Sequence, residues 1–422
     1  MENGGSAGYE SYKKHLFQFL WREVEPLVDR IDTGAASVET LFERFREHRL
    51  WGLVIPEAYG GLGLTVGQYL PILAELAKVG GVIRVVIHVH NTAARALAAF
   101  GTEEQKRRWL PPLAEERSSM TFALTEPDSG SGMDVTTTAR REGEHYAVNG
   151  AKHFITNAAF ADLHLVCCRT GAAPDRRALS ALVVERGTKG FTIEPMPHLM
   201  GANGPAHGIL RFEDVRAPVR NIVGREGDGL DIFLGELEPS RVFVAASALG
   251  AAERALEMAL DYAKRRVTFG RPIAAREGVR GKLAEMARDV YALKAVLEDV
   301  ARKLDGGKPA ALEASIAKLL ALEAVVRVTD AAMEVLGGRA YVRNYPYPFE
   351  RLYREARLNV LEEGTPTIQR LVIARALLAE SVPLGIGTLG ERAHPAGVDP
   401  ALGHAPSALG RPAFEKRERP GA

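Results

Sequence analysis

Two adjacent carboxylates, Glu362 and Glu363, stand in the stretch LNVLEEGTPTIQRLVIAR, from Leu358 to Arg375. Val360 and Leu361 precede them, a Gly-Thr-Pro break follows, and a segment with apolar residues at helical spacing comes next. Gly364 can take dihedrals that other residues avoid, and Thr365 before Pro366 reads as a helix start, Pro being favoured in the first turn. A carboxylate held at such a turn, partly out of water, would have its pKa raised toward the range useful for a general base. The same residues suit a solvated, charged turn between two helices equally well.

Three more segments carry residues suited to a site. FALTEPDSGSGMD, Phe122 to Asp134, gathers small residues, hydroxyls and backbone amides that can approach a flat ring or a phosphate closely. It also reads as a plain surface loop. In NGAKHFITN, Asn149 to Asn157, Phe154 and Thr156 are alternate residues and share one strand face, an aromatic wall beside a hydroxyl. An ordinary half-buried strand has the same pattern. In YAKRRVTFGRPI, Tyr262 to Ile273, Arg266 and Phe269 at a helix end offer a cation to a phosphate and a ring to an adenine. A helix C-terminus that favours cations and is capped by Gly270 would look alike.

The elements that must position these residues follow a helical, then β, then helical order. Up to about residue 110 the apolar spacing is helical, as at Leu70, Leu73, Leu76 and Ala77, with EEQKRRWLPPLAEE a short helix stopped by Pro111 and Pro112. HYAVNG, KHFITN, DLHLVCCRT, ALSALVVE, GFTIEP and GILRFEDV are short β-branched and aromatic runs between turn formers, a small antiparallel sheet or barrel. Leu283, Met286, Val290, Leu293, Leu297 and Val300 mark a one-sided helix, and ALEASIAKLLALEAVVRV one buried on several sides. The expected architecture is α+β, mainly α: an N-terminal helical domain (1–118), a middle β domain (119–228), a C-terminal four-helix bundle (229–380) and a flexible tail (381–422).

Bulk composition narrows the function classes. The 422 residues are 46% hydrophobic and 25% charged, and 54 basic against 53 acidic residues leave a net charge of +1. No basic excess points to nucleic acid or an anionic membrane. The two cysteines, Cys167 and Cys168, are neighbours that a strand would point to opposite faces, so a disulfide between them is unfavourable and a reducing compartment fits. The start, MENGGSAGYESYKK, has no leader-like apolar core, and no run approaches the ~20 apolar residues of a membrane span; a cytoplasmic protein is expected. No metal-ligand pattern stands out.

Five motifs occur in order: LTEP (Leu124–Pro127), F-I-T (Phe154–Thr156), YAxxR…FG (Tyr262–Gly270), LGG (Leu336–Gly338) and EGT…IQRLVIAR (Glu363–Arg375). With PEAYGGLGL and FGTEEQKRRWLPPL upstream, the chain resembles the acyl-CoA dehydrogenase family of flavoenzymes from about Trp51 to Glu380. The resemblance implies bound FAD, an acyl-CoA substrate, a homotetramer built as a dimer of dimers, and electron-transfer flavoprotein as electron acceptor. By position, Glu363 matches the base that removes the α-proton of the thioester, while the β-hydrogen leaves as hydride to flavin N5. Thr156 matches the hydroxyl near N5 and Phe154 the aromatic beside the ring. Phe122, Leu124 and Thr125 match the loop along the isoalloxazine, and Ser131 a serine contacting FAD or the pantetheine. Arg266 and Phe269 match residues reaching the adenine half across a subunit interface. Gly338, Thr365 and Thr367 fall at cofactor positions, Gly364 at a substrate position beside the base, and Glu238 with Arg241, in LEPSR, along the CoA arm.

Several residues depart from the family pattern. The TEPDSGSGMD loop is two residues longer than usual. Glu277 and Glu334 stand where glutamines commonly bind FAD, and Ala340 replaces a glycine. Glu362 takes an aromatic or apolar position; it is expected to point outward, the alternative being contact with a polar acyl group. Arg84, in the apolar run GGVIRVVIHVHN, needs an anionic partner if buried. The run is similar to the pocket helix of glutaryl-CoA dehydrogenases, where an arginine holds the substrate's far carboxylate; a structural ion pair is the other reading. Competing function classes are flavin oxidases or monooxygenases of the same fold, a dehydrogenase of carrier-bound or carboxylate-bearing acyl groups, and a non-catalytic scaffold. Glu363 and the flavin loop argue against the monooxygenase and the scaffold.

Overall fold

The computed structural model of the protein describes residues 5–115, 117–129, 134–171, 176–203 and 207–378. Ser131 and the expected tail fall outside the described residues. The first block holds α1 (Gly5–Phe19), α2 (Glu25–Asp32), α3 (Phe42–Glu47), α4 (Val66–Val79), α5 (Gly81–Phe100) and α6 (Glu103–Ala114). Capping boxes start α4 at Thr65/Gln68 and α6 at Thr102/Gln105, each satisfying two otherwise orphaned groups of a helix start. Pro111 and Pro112 do not stop α6 as the sequence suggests. Their fixed φ is helical, the lost amides lie in the last turns, and buried Trp109, Leu110 and Leu113 hold the segment in place.

α5 lies almost wholly in the interior. Its Asn91 donates through Nδ2 to the carbonyls of Leu50 (3.0 Å) and Ile87 (2.9 Å) and accepts from the amide of Val54 (3.2 Å), fixing the chain around Trp51 against the helix.

The middle block folds as β1 (Met120–Ala123), β2 (Thr138–Glu142), β3 (His145–Thr156), β4 (Leu163–Arg169), β5 (Leu179–Glu185), β6 (Phe191–Pro195), β7 (His207–Pro218) and β8 (Ile222–Val223). The sheet order is β6-β7-β3-β2-β4-β5-β8, with β1 parallel to β4. Cys167 and Cys168, on β4, are buried free thiols. The turn after β1 is held from below. Lys152 Nζ, fully buried on β3, donates to the Leu124 carbonyl (2.9 Å) and to Glu126 (2.8 Å). Glu126 also accepts from the amides of Thr136 and Thr137.

The last block contains α7 (Gly229–Arg265), a hairpin of β9 (Val267–Thr268) and β10 (Arg271–Pro272), α8 (Glu277–Asp305), α9 (Ala311–Leu336), α10 (Phe349–Ala356), α11 (Leu358–Leu361) and α12 (Pro366–Leu378). α7, α8 and α9 pack on one another and α12 packs on α9, the expected bundle. α7 also lies against α4, at Gly250, where an added Cβ would sit 2.0 Å from the Ala74 carbonyl. α4 and α8 are tied by Asp305, whose carboxylate accepts the Val66 and Gly67 amides at the start of α4 (2.7 and 2.9 Å).

Because Lys152 and Glu126 are 0% and 2% exposed, losing one leaves the other charged in the interior. Lys152→Met should lower the unfolding free energy by about 3–5 kcal/mol in urea titration. A loss under about 1 kcal/mol would show that the pair does not hold this turn.

Candidate active site

The diacid turn is organised from α9. Lys318, fully buried there, donates from Nζ to the carbonyls of Glu362 (2.6 Å) and Glu363 (2.7 Å). Successive positive φ angles, 54° at Glu363 and 96° at Gly364, kink the chain there. A Cβ at Gly364 would also lie 2.9 Å from Gln369 Nε2, which donates to the Gly364 carbonyl. Burial, the largest influence on Lys318, lowers its pKa to about 8 against the pull of Glu363 and Glu362.

The kink sends the two acids to different partners. Ser240 Oγ donates to Glu363 Oε1 at 2.6 Å, and His88 Nε2 lies 3.3 Å from the same oxygen and 3.1 Å from Ser240 Oγ. A carboxylate only accepts, so His88 Nε2 carries hydrogen in this arrangement. The second oxygen, Oε2, is buried and has no partner among the described residues. Burial is the largest influence on the Glu363 carboxyl and raises it. The hydrogen bond and charge of His88, then Lys318 and Ser240, more than offset that and bring it to about 2. The sequence-based expectation of a raised pKa is thereby corrected: the turn shields the carboxylate from water but surrounds it with donors and cations.

Glu362 does not point outward as expected. Its Oε2 accepts from Arg84 Nη1 at 2.9 Å and its Oε1 from Nη2 at 2.6 Å, with Asn359 Oδ1 3.4 Å from Nη2. The Arg84 side chain is 1% exposed, so its charge requires a partner, and the kink at Glu363 delivers one. Arg84 and His88 are one helical turn apart on α5 and serve adjacent acids.

The sheet supplies the opposite wall. Asn157, which follows β3, donates from Nδ2 to the Val86 carbonyl on α5 (2.9 Å), bringing the end of the strand against the helix that carries Arg84 and His88. Phe154 and Thr156 do not share a face by simple alternation. A bulge interrupts the β3–β7 register between Lys152 and Ile155, and Phe154 has φ 56°. The bulge leaves the Phe154 ring half exposed, at 53%, while Thr156 is buried. Phe122 and Thr125 are half-buried and Leu124 is buried in the same region. His207, paired with Thr156 across the sheet, is held at about 4 by burial and by Arg84.

The other predicted residues lie farther out. Arg266 caps α7, and Phe269, with φ 49°, sits 96% exposed at the tip of the hairpin. The cation over its ring is Arg276 at 5.2 Å, not Arg266; Arg276 is locked to Thr268 by two hydrogen bonds. Glu277, Glu334, Gly338, Thr365 and Thr367 are exposed, and Glu334 pairs with Lys282 at 2.6 Å. Glu238 and Arg241 are half-buried on α7, with Arg241 Nη1 donating to Ser315 Oγ at 3.2 Å. His88, Ser240, Lys318 and Arg276 were missed. Three had signals: a histidine one turn after Arg84, a serine between Pro239 and Arg241, and a lone lysine in an apolar helix.

Comparison with known proteins agrees with this geometry. Residues 7–117, 121–215 and 227–378 match the N-terminal, middle and C-terminal domains of acyl-CoA dehydrogenases. The chain belongs to the acyl-CoA dehydrogenase family. An acyl-CoA dehydrogenase of Bacillus subtilis is 37% identical over 368 residues, 87% of this chain and 97% of the relative. The butyryl-CoA dehydrogenase structure from Megasphaera elsdenii superposes with a TM-score of 0.83 at 33% identity, covering 90% of this chain and 100% of that one. A glutaryl-CoA dehydrogenase complexed with glutaryl-CoA gives a TM-score of 0.82 at 30% identity, covering 90% and 97%. The acyl-CoA dehydrogenase family comprises FAD-dependent oxidoreductases acting on the CH–CH bond of acyl-CoA.

The Glu363 carboxyl, lowered from its ordinary 4.5 to about 2, is ionised throughout the neutral range. Its contribution to stability is present above about pH 4.5 and is lost as the pH falls toward 2. His88→Leu removes the leading donor and should move the acid limb of the kcat/KM profile to higher pH. A limb that stays in place would show that His88 does not tune this carboxylate.

Proposed function

We propose that this protein is an FAD-dependent acyl-CoA dehydrogenase in which Glu363 takes the α-proton of the acyl thioester. The observation that carries the reading is the state of that carboxylate. One oxygen is fixed by Ser240 and His88, and the other is buried without a partner among the described residues, open to a reacting atom.

The residues present suit a flavin dinucleotide. Phe154 offers an exposed ring on a bulge beside the buried Thr156 hydroxyl, and Phe122, Leu124 and Thr125 lead into a turn fixed by Lys152. Phe269, Arg266 and Arg276 offer an aromatic face and cations for the adenine half. Glu334 is neutralised by Lys282, which removes the repulsion that an acid at this position would exert on a pyrophosphate. Bound there, FAD would supply the acceptor for the β-hydride of the substrate. The chain's own share of the reaction is to align the thioester, exclude water and receive the proton at Glu363 Oε2. Arg241 and Glu238 lie at positions suited to the CoA arm.

Phe269 is too exposed to hold an adenine within one protomer, which supports a homotetramer sharing its FAD sites. Electron-transfer flavoprotein is the proposed acceptor. Among the described residues no helix is long and apolar enough to cross a membrane, in keeping with a cytoplasmic location.

Glu363→Gln should retain FAD and bind acyl-CoA but reduce flavin ~10³-fold more slowly, the upper part of what a general base supplies. Rapid-mixing absorbance with butyryl-CoA reads this, and near-parental bleaching would overturn the assignment. Phe269→Ala should weaken FAD retention, seen as a lower ratio of flavin to protein absorbance after gel filtration. An unchanged ratio would place the adenine elsewhere.

A further inference from the structure

An ion pair that the protein makes with itself, Arg84 with Glu362, lies beside the candidate base. Arg84 is one turn from His88 on α5, about 6 Å away along the same helix face, and His88 holds the base. An acyl chain whose α-carbon meets Glu363 Oε2 and which extends along α5 therefore reaches Arg84 within a few carbons. There it finds both terminal nitrogens of the guanidinium engaged by Glu362, at 2.6 and 2.9 Å, in the fork-to-fork geometry a substrate carboxylate would otherwise use. Arg84 Nε has no partner among the described residues.

Glu362 cannot withdraw cheaply. Its carbonyl is bound by Lys318 at 2.6 Å and it adjoins the base, so moving it would disturb the turn that aims Glu363. Its carboxylate is 16% exposed and the Arg84 side chain 1%, so the cation is sealed behind the anion. Among the described residues, Asn359 and Glu362 supply oxygen partners to the guanidinium.

We infer that Glu362 is a specificity-determining residue, an internal counter-ion that occupies Arg84 and excludes acyl groups bearing a terminal carboxylate, and that removing it turns Arg84 into a carboxylate receptor. This rests on the acyl-CoA dehydrogenase reading. An incoming carboxylate would have to displace Glu362 and would meet two like charges at close range, Glu362 and Glu363. A neutral acyl group leaves the pair intact.

The test compares flavin reduction by butyryl-CoA and by glutaryl-CoA, which is the butyryl chain with a carboxylate added to its terminal carbon. The parent should favour butyryl-CoA. In Glu362→Ala the glutaryl-to-butyryl ratio of kcat/KM should rise about thirtyfold or more, the size of one charge-assisted contact. Arg84→Gln/Glu362→Ala should abolish the gain. If Glu362→Ala folds poorly, Glu362→Gln keeps one hydrogen bond to Arg84 without the charge and should shift the ratio in the same direction by less. A second readout needs no turnover: acetate, against equal chloride, should raise the melting temperature of Glu362→Ala but not that of the double variant. A parent that already prefers glutaryl-CoA, or a ratio and melting response that Glu362→Ala leaves unchanged, would overturn the inference. Failure of every thioester to bleach the parent's flavin, with the acetate response intact, would count against the dehydrogenase reading and not against the anion pocket.

Discussion

The site depends on one buried ammonium. Lys318 joins α9 to two successive carbonyls of the diacid turn, an arrangement that keeps the Glu363 backbone left-handed. A buried lysine is costly unless it is paired and hydrogen-bonded, and here the pairing comes from the turn it supports. The dependence is mutual. Glu362 and Glu363 favour the charged form of Lys318 against burial, and Lys318 favours the ionised form of Glu363. Without that amine the two acids would have no reason to diverge, one to Arg84 and the other to Ser240 and His88.

α5 is the second scaffold. A single rigid helix carries Arg84, His88 and Asn91, and its Val86 carbonyl receives Asn157 from the end of β3. The helix therefore relates the Arg84–Glu362 pair, the Glu363 carboxylate and the end of β3 to one another without an intervening loop. Arg84, His88 and Asn91 persist in a segment otherwise as apolar as a core strand because each meets a partner that another element supplies.

Much of this was legible in the chain. Helical and β blocks announced themselves through period 3.6 and short β-branched runs, and Pro366 did begin α12. Arg84 stood out as a cation in an apolar run, and Glu362 with Glu363 as two acids at a turn; the choice of Glu363 between them came from the family resemblance. What escaped reading was tertiary. The bulge before Ile155 alters which way Phe154 faces, and no local pattern reports it. The Arg84–Glu362 contact spans 278 positions, and the Ser240–Glu363 bond spans 123. The pKa of Glu363 was misjudged because burial is visible as apolar neighbours in sequence, whereas the donors that offset it arrive from α5, α7 and α9.

The pairing of buried charges also settles how the interior responds when a proton moves. Setting His88 aside, Arg84 and Lys318 match Glu362 and Glu363 in charge, so these four groups sum to zero. On the proposed reading, transfer of the substrate proton to Glu363 would neutralise one anion and leave both cations, so these groups would become net positive as negative charge develops on the thioester. The compensating field is thus created by the transfer itself and need not be imported from solvent. Shielded ions exchange poorly with the medium, so the chemical step should be nearly indifferent to ionic strength, even where docking of the CoA phosphates is not.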